Sequence, residues 1–166
     1  MSSSSQFDTL RVLQWNAGGL SQSKRMEILQ TLGERDGDVF AIMEANLADK
    51  NLKYYSFRGF SLYVLKKFRQ VASGILIGVK RELTADFRII KEMGVDGDKS
   101  EVVHLDVWKC GVHFKILAIY SPPGNDPDFS YVNHSKHSMF IGDFNAHSPV
   151  WGYSDTNNAG RRVQDF

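Results

Sequence analysis

One cysteine, Cys110, serves a chain of 166 residues. A lone thiol excludes an internal disulfide framework and is read as a reducing intracellular setting, nucleus or cytoplasm. Net charge is nearly absent: 20 Lys and Arg against 19 Asp and Glu leave +1. That balance gives no electrostatic footprint for nucleic acid, so a case for DNA has to come from a local site. No apolar run exceeds strand length, which argues against a membrane span. Residues 1–6 are serine-rich without an apolar centre and do not form a secretory signal. No G-x-G-x-x-G and no P-loop lysine motif occurs, which removes the dinucleotide-binding and P-loop readings. Asp96-Gly97-Asp98 and Asp126-Pro127-Asp128 lack the spacing and terminal Glu of a calcium loop and read as turns. His134, His137 and His147 do not have zinc-signature spacing.

Hydrophobic content of 42% and charged content of 23% are those of an ordinary soluble globular chain. The length suits one domain with a sizeable core, here 9–166 after a disordered 1–8. Strands are the majority element, expected at 10–15, 39–44, 61–65, 75–80, 87–90, 102–108, 112–120 and 139–144. The segments 102–108 and 112–120 form a hairpin. One helix is expected over 24–32, capped by Ser23 and closed by Gly33, with Met26, Leu29 and Leu32 on one face. Residues 47–55 are ambiguous. Three of the four prolines fall within 121–130, a loop. The polar stretch 124–138 is also a loop, and 161–166 begins a helix. His104 and His113, in strands, are expected to face solvent.

Three apolar strands end in a carboxylate or an amide: Val12-Leu13-Gln14-Trp15-Asn16, Val39-Phe40-Ala41-Ile42-Met43-Glu44, and Phe140-Ile141-Gly142-Asp143-Phe144-Asn145. Ligands of open sheets bind beyond the carboxyl ends of strands. A rigid sheet can therefore gather Asn16, Glu44, Asp143 and Asn145 at one rim, where hard oxygen ligands and amide donors suit Mg²⁺ and a phosphate. Each residue also has a bland reading. Glu44 and Asp143 fit buried ion pairs or turns, Asn16 a bend before Ala17-Gly18-Gly19, and Tyr120 a satisfied edge tyrosine. Trp15 and Phe144 flank the rim and read as core residues.

Taken together, Gln14-Trp15-Asn16, Met43-Glu44, Ile119-Tyr120-Ser121-Pro122 and Gly142-Asp143-Phe144-Asn145-Ala146-His147 occur in the order found in the endonuclease/exonuclease/phosphatase superfamily. The chain most resembles the endonuclease domain of non-LTR retrotransposons, and Trp151-Gly152, Thr156-Asn157 and Gly160-Arg161 extend that likeness. The resemblance implies a mixed α/β (α+β), DNase I-like fold: a four-layered β-sandwich flanked by helices. It also implies hydrolysis of DNA phosphodiesters with Mg²⁺, or Mn²⁺, as cofactor. Carried over, Glu44 is the principal metal ligand with Asn16 beside it. Asp143 orients or deprotonates the attacking water, and Asn145 and Tyr120 hold the scissile phosphate. The family's terminal Ser-Asp-His motif has no counterpart here, and His147 is an auxiliary candidate only. The expectation is thus a truncated domain and an incomplete sandwich, with impaired nicking and self-association through exposed apolar surface. The alternatives are a non-catalytic remnant that binds metal, nucleic acid or a partner, and a phosphatase acting on a small phosphate ester.

Overall fold

The computed structural model describes residues 9–133 and 135–166; the expected disordered stretch 1–8 and His134 lie outside them. Eight strands divide evenly between two sheets. The first sheet has the order β1 (Val12–Asn16), β2 (Val39–Met43), β4 (Ile75–Lys80), β3 (Phe60–Leu65), with β1 and β2 parallel and the other pairs antiparallel. The second runs β5 (Thr84–Lys91), β6 (Glu101–Lys109), β7 (Val112–Tyr120), β8 (Ser138–Asp143), closing with the parallel pair β7–β8. The hairpin read from the sequence is β6–β7.

Strand alternation sorts the side chains into layers. Val39, Ala41 and Met43 of β2 and Ile75, Ile77 and Val79 of β4 meet Val103, Leu105 and Val107 of β6 and Ile116, Ala118 and Tyr120 of β7 between the sheets. The opposite face of the first sheet, with Phe40, Ile42 and Leu76, is covered by Ile28 and Leu32 of helix α1 (Gln22–Arg35). The opposite face of the second, with Val102, Leu117 and Ile119, is covered by Phe129, Val132 and Val163, the last from helix α3 (Asn158–Asp165). Helix, sheet, sheet and an outer layer of loop and helix make up the four-layered, DNase I-like arrangement.

Several boundaries differ from the sequence reading. Helix α1 starts earlier, with Ser21 accepting from Lys24 N in place of Ser23. It also runs through Gly33 and stops at Asp36, whose φ of 51° is left-handed. The helical period cannot distinguish two serines two residues apart, and one glycine in a well-packed helix costs only about 1 kcal/mol. The ambiguous 47–55 stretch holds a short helix, α2 (Asp49–Leu52). β2 stops at Met43, so Glu44 lies just beyond it. His104 does not face solvent: it is 7% exposed, covered by Arg88 Nη2 at 3.0 Å from Nδ1 and by Asp106 Oδ1 at 3.0 Å from Nε2. Among the described residues no helix is long and apolar enough to cross a membrane.

Candidate active site

The strands that end in polar residues end together. Asn16 closes β1 on the inner face, beside Val12 and Gln14. Asp143 closes β8 on its inner face, after Met139 and Ile141. The sheets are close enough here for Asn16 Nδ2 to donate to Asp143 Oδ2 at 2.7 Å. A second bond joins the sheets at the same end, from the Tyr120 hydroxyl to Glu44 Oε1 at 2.7 Å. Tyr120 pairs in register with Asp143 on one side and Glu101 on the other.

Glu44 reaches this position by breaking the pleat. Alternation would send it to the helix-covered face with Phe40 and Ile42. Its φ of 50° turns the chain instead, and its carboxylate meets the phenol of an inner-face residue. Asn145 is also left-handed, with φ of 46°. Such residues cost on the order of 1–3 kcal/mol and cluster where geometry serves function. Hydrogen bonds hold the Glu44 turn: Gly19 N donates to Glu44 O at 2.7 Å, Ala45 N to Gly74 O at 3.1 Å, and Asn46 N to Ser73 O at 2.9 Å.

Gly142 explains how β8 comes so near β7. Its φ is 152°, and a Cβ at this position would lie 1.7 Å from Ile119 O. Only glycine lets the strand carrying Asp143 pack there. After β8, Asp143 Oδ1 accepts from Asn145 N at 3.1 Å, and Asn145 Nδ2 donates to Ser121 O at 2.8 Å.

Two further residues shape this end: Glu101, which the sequence reading missed, and Asn157, which it named only within the family likeness. Glu101, 1% exposed, accepts Gly74 N on both carboxylate oxygens at 3.0 Å. It therefore ties the second sheet to the loop that supports Glu44. Burial pushes its carboxyl up to about 7, and nearby Glu44 adds to the rise against the Gly74 amide and the charge of Arg69. An acidic residue opening an apolar strand was the available signal. Asn157, the cap of α3, is the second. Its Oδ1 accepts His147 N at 2.9 Å and Gly160 N at 2.8 Å, and its Nδ2 donates to Asn145 O at 2.9 Å. Asn157 thus clamps the loop after Asp143 onto the start of α3, where Gly160 lies.

The structure gathers the expected residues unevenly. Asn16, Asp143 and Asn145 line a cavity of about 550 Å³ with Trp15, Trp151 and Tyr153. Glu44 and Tyr120 lie at the same end of the sandwich but outside that wall. Tyr120 is fully buried, and its phenol is held above its ordinary range by burial and then by the bond to Glu44. In this structure its hydroxyl donates to Glu44. The His147 imidazole also lies outside the wall; its Nδ1 is 3.2 Å from Asp155 Oδ1. Trp15 and Phe144 pack against the two outer clusters, as core residues do.

The donor set can be tested against Mg²⁺. Glu44 Oε2 accepts no hydrogen bond among the described residues, and Asn16 supplies an amide oxygen that also accepts Gly18 N at 3.0 Å. No group of three or more His, Cys, Asp or Glu converges among the described residues. A carboxylate and an amide oxygen are donors of the kind that suits Mg²⁺, which keeps several waters, and are too few for a closed protein cage for zinc or calcium.

No family model and no curated protein sequence matches the chain. Solved structures do match in shape. D. rerio TDP2, complexed with a single-strand DNA product, is 13% identical with a TM-score of 0.59 over 84% of this chain. The chain spans 62% of that protein's length. An endonuclease/exonuclease/phosphatase family protein from Leptotrichia buccalis is 13% identical with a TM-score of 0.59, over 95% of this chain and 72% of that one. ANGEL2, a 2',3'-cyclic phosphatase in complex with adenosine-2',3'-vanadate, is 14% identical with a TM-score of 0.53, over 81% and 53%. The chain has the endonuclease/exonuclease/phosphatase superfamily fold.

Proposed function

We propose that this end of the sandwich hydrolyses phosphodiesters with a divalent cation, Mg²⁺ or Mn²⁺, and that its substrate is DNA, as in retrotransposon endonucleases. The observation that carries this reading is the pair of cross-sheet bonds, Asn16 to Asp143 and Tyr120 to Glu44. They bring two carboxylates and an amide from separate sheets to one end. The single-strand DNA product bound to the TDP2 neighbour supports the choice of nucleic acid.

Glu44 and Asn16 would hold the cation, which when bound neutralises charge developing on the phosphate oxygens. Tyr120 positions Glu44 by donating to one carboxylate oxygen, so the other is presented outward. Asp143 is oriented by two donors and takes the proton of the attacking water as the water oxygen bonds to phosphorus and the ester oxygen leaves. The second amide hydrogen of Asn145 donates to a phosphate oxygen. A second reading, nucleic-acid and metal binding without turnover, is favoured by one fact: among the described residues no imidazole lines the cavity.

Nicking of supercoiled plasmid tests the proposal. Divalent-dependent nicking is expected, falling at least ~100-fold in Glu44→Gln and in Asp143→Asn. Nicking indifferent to both substitutions would refute the assignment. Plasmid binding without any divalent-dependent nicking would leave the second reading in its place.

A further inference from the structure

The cavity that contains Asn16, Asp143 and Asn145 has an aromatic outer wall that phosphodiester chemistry does not use. Tyr153 and Trp151 are 48% and 39% exposed. Both side chains nevertheless have defined partners. The Tyr153 ring stacks on His147 with centroids 4.2 Å apart and planes 7° from parallel. His147 is in turn held by Asp155 at 3.2 Å, and Tyr153 N donates to Ser148 O at 3.1 Å. The Trp151 indole Nε1 donates to Ala146 O at 2.9 Å. One Tyr153 face is therefore occupied by the imidazole, and Tyr153 is among the residues that line the cavity.

We propose that Tyr153, backed by His147 and flanked by Trp151, is a stacking platform for the nucleobase next to the phosphodiester. The inference rests on the phosphodiester reading of the same cavity and adds what lies beside the phosphate. A flat, pre-oriented ring offers its π-face to any base, so the platform tolerates sequence, whereas a small phosphate ester without a ring gains nothing from it. It also suits a chain of nearly neutral net charge, for which stacking supplements weak electrostatic attraction.

Binding measured without turnover tests the platform independently of hydrolysis. Fluorescence anisotropy, in chelator, would compare a thymidine hexanucleotide with a six-unit abasic sugar-phosphate of the same charge. An RNA hexanucleotide and free thymidine monophosphate serve as further arms that distinguish the source of the base. Tyr153→Ala should weaken the base-bearing hexamer by about 5- to 100-fold and the abasic one by less than about 2-fold. Tyr153→Phe, which keeps the ring, should bind as the native chain does. Because the side chain is exposed, both variants should keep the native circular dichroism. Equal losses on the two hexamers, no loss on either, or no binding by the native chain would each overturn the platform. Absence of nicking alone would leave this contrast intact and would count only against the hydrolase reading.

Discussion

Glu44 was legible in the sequence because a carboxylate following five buried apolar residues needs a partner. The partner's identity was not: Tyr120 lies 76 positions away, on the other sheet. Glu101 was missed for a related reason. Nothing local shows that a loop amide, Gly74 N, approaches it from the facing sheet. Its consequence is measurable. The Glu101 carboxyl is raised from 4.5 to about 7 in the fold, so the folded state holds a proton the unfolded chain has released. The stability this contributes is fully present below pH 4.5 and is lost as pH rises to about 7. Glu101→Gln keeps an oxygen to accept Gly74 N and never ionises. Its unfolding free energy from urea titration should match the native chain's near pH 4.5 and exceed it at pH 8, by on the order of 2–3 kcal/mol. A native profile as flat as the variant's across this window would show that Glu101 carries no such load.

At the scale of elements, the strands were legible from their apolar runs and the ends of α1 were not. Ser21 and Ser23 both precede the apolar face, and only the structure shows Ser21 accepting Lys24 N. The loop after Asp143 shows how a short motif hides its purpose. Gly142 is read in the sequence as part of a strand and a motif, and its lack of a side chain lets β8 lie against the Ile119 carbonyl. Asn157, named in the sequence only within the family likeness, caps α3 and also fastens the residues on either side of Ala146. Gly142→Ala should therefore act on the whole β7–β8 pairing. A Cβ 1.7 Å from a backbone oxygen forces the strands apart, and the loss should reach about 3 kcal/mol or more. Chemical denaturation of the variant measures it. A loss under about 1 kcal/mol would show that the strand can shift at little cost.

For the whole molecule, the pattern of strands was readable but their partition into sheets was not. The hairpin β6–β7 follows from a short turn. The parallel pairs β1–β2 and β7–β8 and the place of β4 between β2 and β3 depend on crossovers that periodicity does not record. The sandwich is tied at both ends. Away from the site, buried Asp38 at the start of β2 accepts Lys109 of β6 at 2.9 Å and also Arg11 N at 2.9 Å. At the site end the ties are Asn16 to Asp143 and Tyr120 to Glu44, so the residues that fasten the sheets are the ones proposed to hold the cation, position its ligand and take the proton of the attacking water. The reading of that end as a hydrolytic centre requires Glu44 to hold a cation. Electron paramagnetic resonance of Mn²⁺ titrated into the native chain and into Glu44→Gln tests this directly, since glutamine still accepts the Tyr120 hydroxyl but carries no charge. The native chain should bind one Mn²⁺ weakly, removing its free signal, and the variant should leave that signal unchanged. Equal binding by both proteins would contradict the account.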